Sequence, residues 1–269
     1  TAMPILQLEH FDLPTLYASG QCFRMKPQPD GAYRVLAGSK MTTVTPLGEH
    51  RWQFDFAPED APYWQRYFDL DTDYAPLFAE IPAEEAYLRR AAACCEGLRI
   101  LRQEPFETLI SFICSQRKSI PAIRDCVERL CAAYGTPMAQ GEFAFPTVQR
   151  LAAATEAELR TCGLGYRAPY VLGTARLVAE GKLDLSACDA LSDAALQEQL
   201  LACPGVGVKV AGCVMLFAYH RFASAPVDVW IQKVIEEEYH GKTPFPAWGG
   251  RAGWYQQILF YYRQHVVRQ

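Results

Sequence analysis

The feature that most constrains the fold of this chain is a change of apolar period near Pro62. Ahead of it, residues 31–37, 41–45 and 51–56 are short, partly alternating runs, separated by Pro27-Gln28-Pro29-Asp30-Gly31, Gly38-Ser39 and Pro46-Leu47-Gly48-Glu49. Alternation buries one face of a strand, and glycine- or proline-rich clusters end it, so this part predicts an antiparallel sheet with turns at those three places. Beyond Pro62 the apolar residues recur at three and four, which predicts helices near 84–95, 105–114, 119–134, 147–153, 156–161, 168–180, 192–202, 207–219, 228–239 and 251–265. Pro105 opens one of them, Thr155 precedes an acidic first turn, Asp228 precedes Val229-Trp230-Ile231, and Gly135, Gly163, Gly181 and Gly241 serve as stops. The fold class is therefore α+β. A sheet-rich part with flanking helices occupies 1–100 and a helical region occupies 101–269, packed as one unit because no Pro/Gly-rich linker divides them.

A hydrophobic content of 50% excludes a disordered chain. No run reaches the ~18 apolar residues of a membrane span, and the N-terminus carries no basic-then-apolar leader. Ten cysteines stand at 22, 94, 95, 114, 126, 131, 162, 188, 203 and 213 without any C-x-x-C pair. Zinc and dithiol sites thus lose support, and a cluster ligated by C-terminal cysteines is excluded. Buried free thiols in a reducing cytoplasm are the expectation. The net charge of −4 does not advertise a polyanion partner. Its distribution matters more: residues 1–100 carry nine Lys/Arg against fourteen Asp/Glu, whereas 221–269 carry six against four. A local basic surface can therefore form away from the acidic third.

The most informative segment is Cys203-Pro204-Gly205-Val206-Gly207-Val208-Lys209. A helix that ends in Pro-Gly-Val-Gly and restarts at once is a helix-hairpin-helix, placed at about 193–219. Its glycines permit a tight turn and close backbone approach. The N–H groups and positive dipole end of the second helix make a phosphate seat, the alternative being a purely structural turn. Lys209, in the first turn, opposes that dipole. It is either a phosphate contact or an amine placed to act as a nucleophile. Cys213 at i+4 shares its face. Asp228 is an N-cap by position, a role compatible with facing a cationic transition state.

The hairpin, lysine and downstream aspartate together resemble the helix-hairpin-helix–Gly/Pro–Asp superfamily of base-excision DNA glycosylases. Further segments narrow the resemblance to its 8-oxoguanine branch: Phe11-Asp12-Leu13, Ser19-Gly20-Gln21-Cys22-Phe23-Arg24, Ser111 to Ser115, Val127 to Cys131, Gly163-Leu164-Gly165-Tyr166-Arg167-Ala168 and Gly253 to Phe260, in order along the chain. The resemblance implies a DNA cleft between helical subdomains and a bifunctional glycosylase/AP lyase that needs no cofactor or metal. Its partner would be double-stranded DNA containing an oxidised purine. It implies that Lys209 attacks C1′, that Asp228 supports the cationic sugar, that Cys213 and Phe260 sandwich the purine and that Gln256 reads its Watson–Crick edge. The Gly20 carbonyl would accept the N7–H that oxidised guanine has and guanine lacks. Taken singly, a core position for Phe260 and a surface position for Gln256 are the better readings.

Tyr166 is then the wedge and Arg167 the contact to the estranged base. Gly205, Gly207 and Val208 hold phosphate, and Arg117, Lys118 and Trp230 complete the DNA surface. The chain departs from the better-known members in three places. Arg117 replaces an asparagine, Ala122 stands where a second base-reading arginine belongs, and Trp230 replaces a histidine. Arg124 is on another helix face and substitutes poorly, so preference for the opposite base should be relaxed. A glycosylase for another lesion and a noncatalytic DNA-binding protein are the competing readings. Members of this family work as monomers without a membrane, in the cytoplasm on the nucleoid of a bacterium or in the nucleus of a eukaryote.

Overall fold

A computed structural model of the protein describes residues 4–267. Strands β1 (Ile5–Gln7), β2 (Met25–Pro27), β3 (Tyr33–Ala37), β4 (Lys40–Gly48) and β5 (Arg51–Asp55) form one antiparallel sheet in the order β1-β5-β4-β3-β2. Gly38-Ser39 joins β3 to β4 as expected. The turn expected at 46–49 lies further on: β4 continues through Pro46 to Gly48, and the reversal is made by Glu49 and His50, at φ 50° and 57°. Two consecutive left-handed residues suit a two-residue hairpin because that turn matches strand twist. The register shift between Pro46 and Gly48 accommodates the proline, which cannot donate to the ladder. Strands β1 and β2, three residues each, are too short to show alternation.

Val35, Val44, Trp52 and Phe54 are buried, and aromatic contacts of Phe11 with Trp52 (5.1 Å) and Phe54 with Phe68 (5.6 Å) lock the sheet onto the helices beneath it. An ionic network carries the sheet to the helical region. Arg24 and Lys26 of the β2 side meet Glu128 on helix Ile120–Tyr134, and Lys26 and Arg34 meet Glu142.

The helical region is organised around Val208–Phe217, whose residues from Val210 onward are all buried. A helix that is apolar all round belongs at a centre. It packs against Pro105–Cys114 and Asp193–Leu201, with Phe112 stacked on Phe217 at 5.5 Å. Helix Ala252–His265 crosses both Ala86–Ala93 and Val229–Glu238, so the last helix closes the chain onto its N-terminal part. Boundaries follow the capping chemistry read from sequence. Pro105 opens Pro105–Cys114, and Thr155 and Glu158 make a capping box. Short helices at Leu13–Ala18, Ala61–Tyr67, Ala75–Ala79 and Phe245–Trp248 were not expected, being two turns or less.

All ten cysteines are free; nine are buried and Cys94 is exposed, which corrects the expectation of uniform burial at that one position. No helix among the described residues is long and apolar enough to cross a membrane.

Candidate active site

The hairpin joins helices Asp193–Leu201 and Val208–Phe217. Gly205 has φ +71°, and a Cβ there would lie 2.3 Å from the Tyr170 ring, so both conformation and packing demand glycine. The Gln116 side-chain amide donates to the Gly205 carbonyl at 2.8 Å and pins the hairpin to the turn after Pro105–Cys114. Gly207 is the N-cap of the second helix and supplies no side-chain cap. The first N–H groups of that helix therefore lack intrahelical acceptors, at a positive dipole end, beside exposed Gly207 and Val208.

Lys209 and Cys213, one turn apart, open onto a cavity of about 490 Å³ that is also lined by Gly20, Asp228, Gln256 and Phe260. Asp228 caps helix Val229–Glu238: its Oδ1 accepts from the Trp230 N–H at 3.0 Å and the Ile231 N–H at 2.8 Å. Burial raises its pKa above that of an ordinary aspartate, while the Ile231 N–H, the Lys209 ammonium and the Trp230 N–H pull it back. A cap and a carboxylate electrostatically coupled to Lys209 are thus the same group. Burial pushes the Cys213 thiol up to about 11, so it stays a neutral, polarisable wall at physiological pH.

Gly20, at φ +73°, brings its backbone against the pocket; a Cβ would meet Ile120 Cδ1 at 3.1 Å and Phe260 Cε1 at 3.4 Å. Gln256 is buried, not on the surface, and Phe260 lines the cavity rather than the core alone. The Gln256 Nε2 donates to the Pro226 carbonyl at 2.8 Å, and its Oε1 accepts from Gln257 Nε2 at 3.0 Å. Gln257, Ile120, Arg124 and Tyr17 also line the cavity and were not anticipated as site residues. For Gln257 a signal existed: two adjacent glutamines inside the apolar run of the last helix, where polar side chains need a reason.

The other expected DNA-contacting residues divide. Tyr166 is 45% exposed, in the short turn Gly165–Arg167 that follows the positive-φ glycines Gly163 and Gly165. Its neighbour Arg167 is buried at 7% exposure, with Nε donating to the Gln116 carbonyl at 2.8 Å and Nη1 to the Leu164 carbonyl at 3.2 Å, 4.3 Å over the Tyr166 ring. The guanidinium faces inward here, toward carbonyls rather than solvent. Lys118 donates to the Gly163 carbonyl at 3.1 Å, at the edge of the same cavity. Arg117 is exposed, in left-handed conformation at φ 55°. Trp230 forms part of the cavity wall, with the Lys233 ammonium 5.3 Å over its ring. Ala122 is exposed, whereas Arg124 is turned to the cavity side, 3.7 Å over the Tyr17 ring with Nη2 on the Tyr17 carbonyl at 2.5 Å. Arg124 does not stand in for an arginine at 122.

Residues 4–109 match the 8-oxoguanine DNA glycosylase N-terminal domain, and residues 110–244 match the HhH-GPD superfamily of base excision DNA repair proteins. The chain belongs to the 8-oxoguanine DNA glycosylase family within the HhH-GPD superfamily. Within that family it is similar over its whole length to the Clostridium acetobutylicum 8-oxoguanine glycosylase/lyase, solved in complex with double-stranded DNA containing cytosine opposite 8-oxoguanine. The two share 33% identity with a TM-score of 0.92, covering 98% of this chain and 96% of that one. The Saccharomyces cerevisiae N-glycosylase/DNA lyase is 32% identical over 72% of this chain. The Arabidopsis thaliana N-glycosylase/DNA lyase OGG1 is 28% identical over 95% of the chain and 78% of its own length. The match to the yeast relative spans 64% of that protein's length.

Proposed function

We propose that this protein removes 8-oxoguanine from duplex DNA and cleaves the resulting strand, as a base-excision DNA glycosylase with AP lyase activity. The observation that carries the reading is that Lys209, Asp228, Cys213, Gln256, Phe260 and Gly20, scattered over 240 positions of sequence, line one cavity of base-accommodating size. A target base inside a duplex is inaccessible to a side chain, so the nucleotide must swing out of the stack to reach it.

Inside the cavity the Lys209 amine, once neutral, attacks C1′. The C1′–N9 bond breaks with its electron pair on the departing base, and the Asp228 carboxylate stabilises the positive charge that develops on the sugar. Loss of the lysine proton and ring opening give a Schiff base at C1′. Removal of a C2′ proton then expels the 3′ phosphate by β-elimination, and water releases the lysine. Recognition rests on the purine lying against Cys213 and Phe260, on Gln256 at its Watson–Crick edge, and on the Gly20 carbonyl facing N7–H. An unmodified guanine would leave that acceptor unpaired.

DNA is held by the hairpin N–H groups around Gly205, Gly207 and Val208, with Arg117, Lys118 and Trp230 alongside. Tyr166 supplies the wedge, and Arg167 must leave its internal carbonyls to touch a base. Few cations are committed, so binding to undamaged duplex is weak and salt-dependent. The enzyme works as a monomer and in whichever compartment holds the DNA.

Single-turnover excision on a panel of duplexes carrying 8-oxoguanine, a formamidopyrimidine, an alkylated purine or no lesion tests the reading. The expected outcome is base release and nicking at 8-oxoguanine and none at undamaged guanine. Preferential release of the alkylated purine would overturn it.

A further inference from the structure

We infer that Gln116 is a positioning residue that latches Arg167 away from the complementary strand, so that discrimination of the base opposite the lesion is set by this latch as well as by Ala122. The inference rests on the proposed glycosylase reading and deepens it.

Gln116 lies in the turn between helices Pro105–Cys114 and Ile120–Tyr134, and its two polar ends serve different elements. The side-chain Nε2 donates to the Gly205 carbonyl of the hairpin at 2.8 Å. The main-chain carbonyl accepts from Arg167 Nε at 2.8 Å and also from Arg167 Nη2. Arg167 Nη1 donates to the Leu164 carbonyl at 3.2 Å, and the residue is only 7% exposed. A guanidinium reads a partner through paired N–H groups, and Nε with Nη2, one such pair, is the pair that Gln116 holds. An unpaired cytosine offers two adjacent acceptors, O2 and N3, to that fork, whereas adenine offers N1 beside a donor. Arg167 therefore favours cytosine only when it is unlatched.

The contacts close on themselves. The Arg167 guanidinium lies 4.3 Å over the Tyr166 ring, the Tyr166 and Tyr170 rings meet edge to face at 6.3 Å, and Tyr170 packs against Gly205, whose carbonyl Gln116 holds. The hairpin, the exposed wedge and the arginine thus share one ring of contacts. Tyr166 cannot enter a duplex and stay on the guanidinium at once, so insertion removes one restraint on Arg167. The Gln116 carbonyl is the other, and it is a fixed acceptor because its own side chain is tied to the hairpin. Arg117, the next residue, sits at φ 55°, a conformation that a side chain other than glycine adopts at some cost. A turn under that constraint relaxes when its tether is cut. An untethered acceptor must be ordered each time the arginine docks on it, which weakens the docked state.

The test is single-turnover excision of 8-oxoguanine opposite cytosine and opposite adenine. The readout is the ratio of the two rates, which cancels any loss of folded enzyme. Gln116→Met keeps the length of the side chain and loses its donor. In that variant the ratio should rise about three- to tenfold in favour of cytosine, the effect of one neutral hydrogen bond. Gln116→Ala gives the same comparison should methionine not be accommodated. Adding Arg167→Ala to Gln116→Met should abolish the rise, since the arginine is what the latch releases. A ratio that stays at the wild-type value in both Gln116 variants, with both rates falling together, would mean that Gln116 only fastens the hairpin and would overturn the inference. Failure of the glycosylase reading looks different, because the wild type would then release the base opposite neither partner. The latch is then read without activity, from the Arg167 Nε–H resonance in NMR, identified by its absence in Arg167→Lys. It should exchange slowly with water in the wild type and rapidly in Gln116→Met, and equal exchange in the two would overturn the latch.

Discussion

Replacing Asp228 separates the capping role that the structure shows from the catalytic role proposed for the same carboxylate. Its Oδ1 holds the N–H groups of Trp230 and Ile231, so it caps helix Val229–Glu238, and it shares the cavity with Lys209. Asparagine keeps an oxygen for both N–H groups and removes only the charge. Asp228→Asn should therefore melt within about 0.5 kcal/mol of the wild type, since asparagine and aspartate cap about equally well. Its excision rate should fall by about 10²–10³, the usual effect of removing one electrostatic partner of a developing charge. Asp228→Ala loses the cap as well, costing about 1 kcal/mol, or about 2–4 °C in Tm for a chain of this size. The assays are differential scanning calorimetry and single-turnover release of 8-oxoguanine from duplex. The pH profile adds a third arm. Only the ionised carboxylate stabilises the cation, and burial has raised the pKa of Asp228. Wild-type excision should accordingly fall on the acid side at a pH above that of an ordinary aspartate, and this limb should vanish in Asp228→Asn. An asparagine variant that excises at the wild-type rate, or an alanine variant that melts with it, would refute the dual role.

Three further expectations follow from single observations. Gly205→Ala places a methyl group 2.3 Å from the Tyr170 ring at φ +71°. It should destabilise the protein by about 1–3 kcal/mol and weaken binding to undamaged duplex, read by melting and fluorescence anisotropy. Excision opposite C, A, G and T should span less than about tenfold, because Ala122 offers no donor and Arg167 is engaged by Gln116 and Leu164 carbonyls. A strong preference for cytosine would show that Arg167 swings out at little cost. Glu107, which accepts the Gly38 N–H at 2.7 Å, has its pKa raised by burial to about 7. The folded state then holds this proton more tightly than the unfolded chain, so stability should decline as pH rises from about 4.5 to about 7. Chemical denaturation of Glu107→Gln should lack that decline.

The sequence carried the helical half well because its signals are local and strong. The periodic runs, the helix start at Pro105 and the caps at Thr155 and Asp228 sit where spacing and chemistry put them. The edge strands β1 and β2 were invisible, since three residues cannot display a period. The β4–β5 turn was displaced because Pro46 and Gly48 are turn-forming by composition yet were absorbed by a bulge, leaving the reversal to Glu49 and His50. Of the site, Lys209 and the Cys213 that shares its face were legible from the hairpin, a local motif, and Asp228 as a helix cap. Gln256, Phe260 and Gly20 were legible only through family resemblance, because nothing local says that Gly20 meets Phe260. Gln116, which holds the Gly205 carbonyl by its side chain and Arg167 by its own carbonyl, was not legible at all. Its partners lie 89 and 51 residues away, and long-range pairing leaves no mark on spacing. The inward position of Arg167 is hidden for the same reason.

Borohydride trapping tests the chemistry most directly, because it captures the bond that the proposed reaction requires between enzyme and DNA. Wild-type protein incubated with 8-oxoguanine duplex and sodium borohydride should give a covalent adduct stable to denaturing electrophoresis. Proteolysis should locate the link at Lys209, and Lys209→Gln should give no adduct while still binding the duplex. An adduct at full yield in Lys209→Gln, or wild-type protein that releases the base without ever being trapped, would contradict lysine attack at C1′.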